Sequence, residues 1–392
     1  MLKLNKLFYT SEEQVAFSDN IEPSPEQKKF LVSCKNEIRD HLRPKIQLAT
    51  ITALGMEKAV SPRFRTQGSW SYKTCVQPPF LPPQEIDWDF GVYLPVSVWE
   101  ENGPPHKMAK AYFVLVESLL SGLCLGKGWK MIPGKDTCIR VQVATWAHID
   151  IPLYAAPEHE FTQIMEKAAL EARASCTTHD AASTFDSAEF GEMPEQMWEE
   201  IDQIVLATRS GEWKSSNPEA VASWFNDRVL EHKDQLRRVC RYLKGWRDYH
   251  WQDGRGPTSV SIMIAVAQAF KPQHGRDDMA LEDSAKHLSV AIQGELRELG
   301  IDGGAEDFNN RLSPEEKSIA AQKARELASI LLQARSYEQD FKRQAITDLQ
   351  KQLGERIPNR IDLIDTDSGA DAIRAIPAKR VVAPVVLSTS AG

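Results

Sequence analysis

The chain has 392 residues, enough for one large two-lobed domain or two ordinary ones. Its 47 basic residues against 55 acidic ones leave a formal net charge of -8, which argues against a surface for wrapping long nucleic acid but leaves room for a local basic pocket around a small anion. Cys34, Cys75, Cys124, Cys138, Cys176 and Cys240 lie scattered with no C-x-x-C pair or His-Cys cluster, and MLKLNKLFYTSEEQ has no signal core, so neither a structural zinc nor a disulfide framework is expected, and a soluble cytoplasmic protein is.

Ser24-Pro25-Glu26-Gln27 has the form of a capping box with Pro at the first helical position, and Phe30, Cys34, Ile38 and Leu42 recur every fourth residue. This spacing predicts a long helix from about residue 25 that Pro44 kinks or ends. A Gly/Pro/aromatic stretch from Arg63 to Pro83 follows. IDWDFGVYL then alternates strictly, with Ile86, Trp88, Phe90, Val92 and Leu94 on one face and Asp87, Asp89, Gly91 and Tyr93 on the other. A half-buried strand is expected, with two carboxylates pointing the same way.

Lys107 to Leu125 reads as a helix. Ile139 to Leu153 alternates again, its apolar parity running through Ile139, Val141, Val143, Ala147, Ile149, Ile151 and Leu153, with His148 and Asp150 on the other parity. Thr177 to Glu195 is polar and aperiodic and reads as an exposed loop, whereas Pro218 to Leu353 carries helical spacing. No run approaches the roughly 20 apolar residues that span a bilayer. The expected organisation is residues 1–215 as a core that includes the long N-terminal helix, 216–357 as a helical lobe, and 358–392 as a flexible tail.

Clustered carboxylates are what a two-metal reaction needs. Joining an oxygen nucleophile to the α-phosphate of a triphosphate calls chiefly for charge neutralisation, supplied by two divalent ions about 3.5–4 Å apart. Asp87 and Asp89 fall roughly 6.5–7 Å apart along one strand face at about 3.3 Å per residue, and Asp150 from a neighbouring strand completes a magnesium cage. A D-x-D pair alone is weak; a second one, Asp365 and Asp367, lies in the tail and is assigned no role. The conjunction with QGSWSYKT upstream is the stronger signal, because Gly68 permits close backbone approach and Ser69 offers hydroxyl and amide to phosphate.

This combination resembles the DNA polymerase β-like nucleotidyltransferase superfamily. Within it, QGSWSYKT, EIDWDFGVYLP, AHIDIPLYA, LATRSGEWKSSNP and RRVCRYLKGWRDYHW are similar to the bacterial cGAS/DncV-like nucleotidyltransferases (CD-NTases), the cyclic-oligonucleotide synthases of antiphage (CBASS) defence, over roughly Gln67 to Phe270. The resemblance implies an α/β (α+β) nucleotidyltransferase core with a helical second lobe. It implies joining of nucleoside triphosphates, ATP and GTP foremost, into a cyclic dinucleotide with release of diphosphate, using two Mg²⁺ ions for which Mn²⁺ can substitute. Asp87, Asp89 and Asp150 would hold the metals and carry catalysis, Gln67, Gly68 and Ser69 would line the triphosphate, and Tyr72 and Lys73 the nucleotide pocket. Arg140 would contact phosphate or base, and Lys244 with Thr258 or Ser259 the donor triphosphate.

Other residues read more plainly. Leu236, Val239, Cys240 and Leu243 form a core stripe beside Arg237, Arg241 and Lys244. Tyr242, Trp246, Tyr249 and Trp251 are assigned to the core rather than to base stacking, His148 to packing or orientation of its neighbours, and Asp307 to a helix-flanking surface position. A zinc thumb is missing from the pattern, so activation by DNA is not expected. The family resemblance further implies a downstream effector activated by the cyclic nucleotide and E1/E2-type conjugation at the C-terminal Gly392. Two other function classes share part of the pattern: an RNA-end nucleotidyltransferase of the poly(A) or CCA-adding type, and a catalytically silent nucleotide-binding scaffold.

Overall fold

The computed structural model describes residues 1–12, 15–97, 106–163, 201 and 203–366. The fold is α/β, a mixed sheet lobe and a helical lobe. The elements that matter for the first lobe are α3 (Pro25–Leu54), β2 (Arg63–Gln67), α4 (Gly68–Ser71), β3 (Ile86–Val96), α5 (His106–Lys127), β4 (Lys130–Ile132), β5 (Ile139–Ala144), β6 (Ala147–Ile151), β7 (Leu153–Pro157), β8 (Val205–Ala207) and β9 (Trp213–Ser215). Before them come β1 (Leu2–Lys3), α1 (Asn5–Phe8) and α2 (Phe17–Asn20). After them come α6 (Pro218–His232), α7 (Asp234–His250), α8 (Ser259–Ala269), α9 (Asp277–Ala291), α10 (Leu299–Asp302), α11 (Pro314–Ser336), α12 (Lys342–Leu353) and β10 (Asp365–Thr366).

Helix α3 begins as its sequence dictates: Ser24 Oγ accepts the Gln27 amide, the Gln27 side chain accepts the Ser24 amide, and Gly55 ends the helix at φ 67°. Its buried stripe is Leu31, Cys34, Ile38, Leu42 and Ile46, whereas Phe30 lies beside it at 38% exposure with its ring against Trp146. The helix runs through Pro44 instead of ending there. The residues after Pro44 keep burying one face, through Ile46, Thr50 and Leu54, and that packing outweighs the missing proline N–H.

Strand β3 is the centre of the sheet. On one side it pairs antiparallel with β2; on the other it pairs parallel with β6 and then β7 in one constant register, from Ile86 opposite Ala147 to Val96 opposite Pro157. Strands β6 and β7 are thus a single line beside β3, interrupted only at Pro152, whose carbonyl still accepts the Val92 amide at 3.0 Å. The alternating run from Ile139 to Leu153 does not form one strand: it folds into the β5–β6 hairpin with a register shift at Gln142/Ala144, then enters β7. The apolar face of this sheet packs on α3 and α5.

Helix α5 is the one helix among the described residues long and apolar enough to cross a membrane by length and composition, a property the sequence reading did not anticipate. It belongs to the sheet lobe's core, with Met108, Tyr112, Val116, Leu120 and Cys124 buried, and its Glu117 pairs with Arg209 at 2.6 Å.

The second lobe is built on α7, whose Leu236, Val239, Cys240, Leu243, Tyr242 and Trp246 are all 0% exposed. It includes more than the expected residues 216–357. Leu2, Leu4, Leu7, Phe8, Phe17 and Ile21 from the start of the chain join this core, as do Leu363 and Ile364, and β1 pairs antiparallel with β10. The long helix α3 therefore opens the sheet lobe, the residues before it belong to the helical one, and a tail starting at 358 begins too early: its first nine residues are structured and its remainder lies outside the described residues, as does the expected loop from Thr177 to Glu195.

The lobes are pinned together by a buried ion pair. Arg65 of β2 donates through Nε and Nη2 to both oxygens of Glu219 in the first turn of α6, at 2.6–3.1 Å, with both side chains below 10% exposure. Removing one partner strips a buried charge of its bidentate contact, so Glu219→Ala is expected to destabilise the protein by about 3–5 kcal/mol in denaturant unfolding, and changing both residues to apolar ones to restore most of the loss.

Candidate active site

The end of β2 and the start of α4 bring Gln67, Gly68 and Ser69 alongside the carboxylates of β3. Gln67 is opposite Asp89 in the β2–β3 pairing. Its side chain is buried, donating to Tyr93 Oη at 2.5 Å and accepting from Tyr154 Oη at 3.4 Å, so the residue is held from beneath by two stacked tyrosines. Gly68 has φ 61°, and a Cβ there would lie 2.1 Å from Asp89 Oδ2. Glycine is required twice over, by the left-handed backbone and by the carboxylate against it.

Across the sheet, the registers align two rows of polar side chains. The first runs Gln67, Asp89, Asp150, Arg140 over β2, β3, β6 and β5; the second runs Asp87, His148, Gln142 over β3, β6 and β5. Adjacent strands are about 4.8 Å apart and paired residues share a face, so all these groups converge on one side of the sheet. One ligand atom each from Asp87, His148 and Asp150 can be chosen so that all lie within 4.8 Å of one another.

The concentration of negative charge shows in the proton affinities. Burial pushes the Asp89 carboxyl well above its ordinary range, and the neighbouring charges of Asp87 and Asp150 push it further, with Lys135 and Arg140 opposing. Asp150 goes the other way: burial favours its neutral form, but the hydrogen bonds and charge of Arg140 outweigh it and lower its affinity. Arg140 donates through Nε and Nη2 to the two Asp150 oxygens, each at 2.6 Å, while Lys135 Nζ lies 3.6 Å from Oδ2. The cluster has the features of a divalent cation site: hard oxygen donors, at least one carboxylate raised by its like-charged neighbours, and a glycine where any side chain would collide with a ligand.

These groups line one wall of a cavity of about 1180 Å³ between the lobes, which also takes in Tyr72, Lys244, Arg247, Thr258 and Ser259. Lys244 is buried, donates to the Thr74 carbonyl at 2.7 Å, and burial lowers its pKa to about 8. Arg237 Nε donates to the Tyr72 carbonyl at 3.2 Å, so helix α7 braces the backbone that follows Ser69. Thr258 caps α8 by accepting the Ser261 amide, and Ser259 Oγ accepts from Arg247 Nη1 at 3.0 Å. Their hydroxyls are thus engaged in local structure at the cavity edge.

Two expected contacts are placed differently. Lys73 is exposed, at φ 58° in the turn after Tyr72, and does not line the cavity. Arg140 faces the cavity but is committed to Asp150, because its register position on β5 is directly opposite that carboxylate. Asp307 accepts the Leu296 and Asn309 amides in a loop, while its neighbours Glu306 and Phe308 reach the cavity wall. Sequence reasoning passed over Glu85, Lys135, Arg247 and Asp248, which also line the cavity. Glu85 opens the quoted EIDWDF run and its charge was visible there; Lys135 and Arg247 carry no spacing signal.

The comparisons with known proteins fit this geometry. Residues 62–154 match the family described as cyclic GMP-AMP synthase DncV-like, nucleotidyltransferase domain, and residues 233–366 match cyclic GMP-AMP synthase, C-terminal domain. A cyclic GMP-AMP synthase of Escherichia coli is 31% identical over 332 residues, covering 81% of this chain and 73% of that one. The enzyme of the same name from Vibrio cholerae is 36% identical over 242 residues, but the matched part spans only 52% of its length. The crystal structure of Vibrio cholerae DncV superimposes with a TM-score of 0.73 at 23% identity, covering 94% of this chain and 100% of that one. A variant of that di-nucleotide cyclase in complex with ATP, GTP and 5MTHFGLU2 gives a TM-score of 0.74 at 25% identity, again covering 94% and 100%.

Gly68→Ala is expected to fold but with a displaced Asp89, losing at least about 1 kcal/mol of stability by strain at positive φ. Nucleotide-dependent binding of Mn²⁺ should fall at least about tenfold, read by electron paramagnetic resonance.

Proposed function

The chain belongs to the DncV-like family of bacterial cyclic GMP-AMP synthases, and on that premise we propose that it joins ATP and GTP into a cyclic dinucleotide, releasing diphosphate. The observation that carries this reading is the convergence of Asp87, Asp89 and Asp150 on one sheet face beside Gly68 and Ser69, at the floor of a cavity large enough for two nucleotides. The similar cyclase whose structure contains ATP and GTP supports the choice of substrates.

Two Mg²⁺ ions, with Mn²⁺ as a substitute, would be held by Asp87, Asp89 and Asp150 and would supply Lewis acidity and neutralise phosphate charge. The chain's own groups do the rest. Gly68 lets the backbone approach a triphosphate closely, and Ser69 presents its amide and hydroxyl to the oxygens. Lys244 sets a point charge on the donor triphosphate while holding the Thr74 carbonyl, so the same side chain fixes the loop and the ligand. Arg140 and Lys135 keep Asp150 ionised and oriented before the ligand arrives. Tyr72 and Gln67 form the wall beneath the nucleotide, and Thr258 and Ser259 place the start of α8 at its edge.

The same reading places the reaction in the bacterial cytoplasm, where nucleoside triphosphates are available, with the product passed to a cyclic-nucleotide-activated effector in antiphage defence. Attachment of Gly392, which lies outside the described residues, to a partner by E1/E2-type proteins belongs to the same reading.

Purified enzyme given ATP, GTP, CTP and UTP with Mg²⁺ should yield a cyclic dinucleotide containing adenine and guanine, identified by mass spectrometry. Asp87→Asn with Asp89→Asn should abolish it while leaving the circular dichroism spectrum unchanged. Extension of an added RNA end, with no cyclic product, would refute the reading. Lys244→Met should raise the apparent KM for triphosphate by about tenfold or more, as loss of a charge-assisted contact of about 1–3 kcal/mol requires.

A further inference from the structure

A carboxylate at the mouth of a cleft needs something to hold it. Asp87 is the most open of the three acids, its side chain 47% exposed, whereas Asp150 is 8% exposed and clamped by Arg140. Asp87 lies opposite His148 in the β3–β6 pairing, and His148 Nε2 is 3.0 Å from Asp87 Oδ1 and 4.0 Å from Asp150 Oδ1. On its other edge, His148 Nδ1 is 2.5 Å from Glu85 Oε2. Glu85 is in turn tied through Oε1 to Gln142, the residue opposite His148 on β5. The imidazole is 7% exposed, and Nε2 closes no well-aligned hydrogen bond with any group; the oxygen it approaches at 3.0 Å is Asp87 Oδ1, so that nitrogen is left facing the carboxylate pair.

We propose that Gln142, Glu85 and His148 form a relay that positions Asp87: His148 engages Asp87 Oδ1 and leaves Oδ2 free to bind the catalytic cation. His148 is a positioning residue in this scheme, and Glu85 sets its ring through Nδ1. The physical reason is entropy and geometry. An exposed aspartate samples several rotamers, and a buried ring held by Glu85 through Nδ1, with Nε2 3.0 Å from Asp87 Oδ1, favours one of them before the cation arrives. The strand register makes this possible, because residues opposite one another on neighbouring parallel strands keep their side chains on one face at a fixed spacing. Nothing in Asp150 or Asp89 needs the same help, since Arg140 holds the first and the Gly68 backbone packs on the second.

The inference rests on the metal-dependent reading of the site, and the test separates the two. Mn²⁺ affinity would be measured by electron paramagnetic resonance on the full chain with a non-hydrolysable triphosphate, for wild type, Asp87→Asn with Asp89→Asn, His148→Leu, His148→Gln and Glu85→Gln. Thermal melts of each would report folding. The relay predicts about 10–100-fold weaker Mn²⁺ binding for His148→Leu, partial recovery in His148→Gln because the amide can donate to Asp87, and an intermediate loss in Glu85→Gln. It also predicts no nitrogen coupling to Mn²⁺ in electron spin-echo modulation. Wild-type affinity in a folded His148→Leu overturns the relay, and ¹⁴N coupling that disappears in His148→Leu overturns it in favour of direct ligation. Wild-type affinity in the Asp87/Asp89 double variant overturns the metal reading itself. If His148→Leu fails to fold, His148→Gln and Glu85→Gln still decide: unchanged Mn²⁺ binding in both refutes the proposal.

Discussion

Three carboxylates held on one face of two neighbouring strands repel one another, and much of the site's surroundings can be understood as the means of holding them there. The raised proton affinity of Asp89 is the direct sign of that repulsion. Arg140 and Lys135 beside Asp150, and the buried His148 beside Asp87, supply positive or donating groups on the flank away from Gly68. On the flank toward Gly68 no side chain fits at all, which leaves the backbone and Ser69 as the wall. Arg140 and Lys135 offset part of this charge at Asp150, and a divalent cation would offset the excess that remains at Asp87 and Asp89.

Because the charges sit on strands, their spacing is set by the sheet and not by flexible loops. The constant register of β3 against β6 and β7 places Asp89 opposite Asp150 and Asp87 opposite His148 with no adjustable link between them. The apolar face of the same strands packs on α3 and α5, so the core that stabilises the lobe also fixes the site. Rigid elements suit a reaction in which small displacements of the reacting atoms are expensive in rate.

The second lobe contributes by bracing. Lys244 and Arg237 both donate to main-chain carbonyls of the segment after Ser69, at Thr74 and Tyr72, and Tyr72 is inserted into the helical lobe's own core. The Arg65–Glu219 pair repeats the connection on the far side of Gln67. The turn that would face a triphosphate is therefore held at two points by helices whose positions depend on a separate hydrophobic core. The face of α7 that periodicity alone would leave as a solvated basic surface is mostly occupied by these contacts.

What the residues alone determined was local: the capping box that starts α3, the alternation that makes β3, the parity that puts Asp87 with Asp89 and His148 with Asp150, and the core stripe of α7. Each follows from the repeat of its own backbone, 3.6 residues for a helix and two for a strand, and needs no distant partner. Composition likewise argued against a surface for wrapping long nucleic acid, and the Gly-Ser segment with three acids carried the resemblance to nucleotidyltransferases. Tertiary structure decided the rest. It ran α3 through Pro44, split Ile139 to Leu153 into a hairpin and a third strand, moved the first residues of the chain and residues 358–366 into the helical lobe, and turned Arg140 onto Asp150 and Lys73 away from the cavity. In each case the outcome depends on which strand or helix lies opposite. Register and long-range packing compare energies between residues far apart in the chain, and no local repeat carries that comparison.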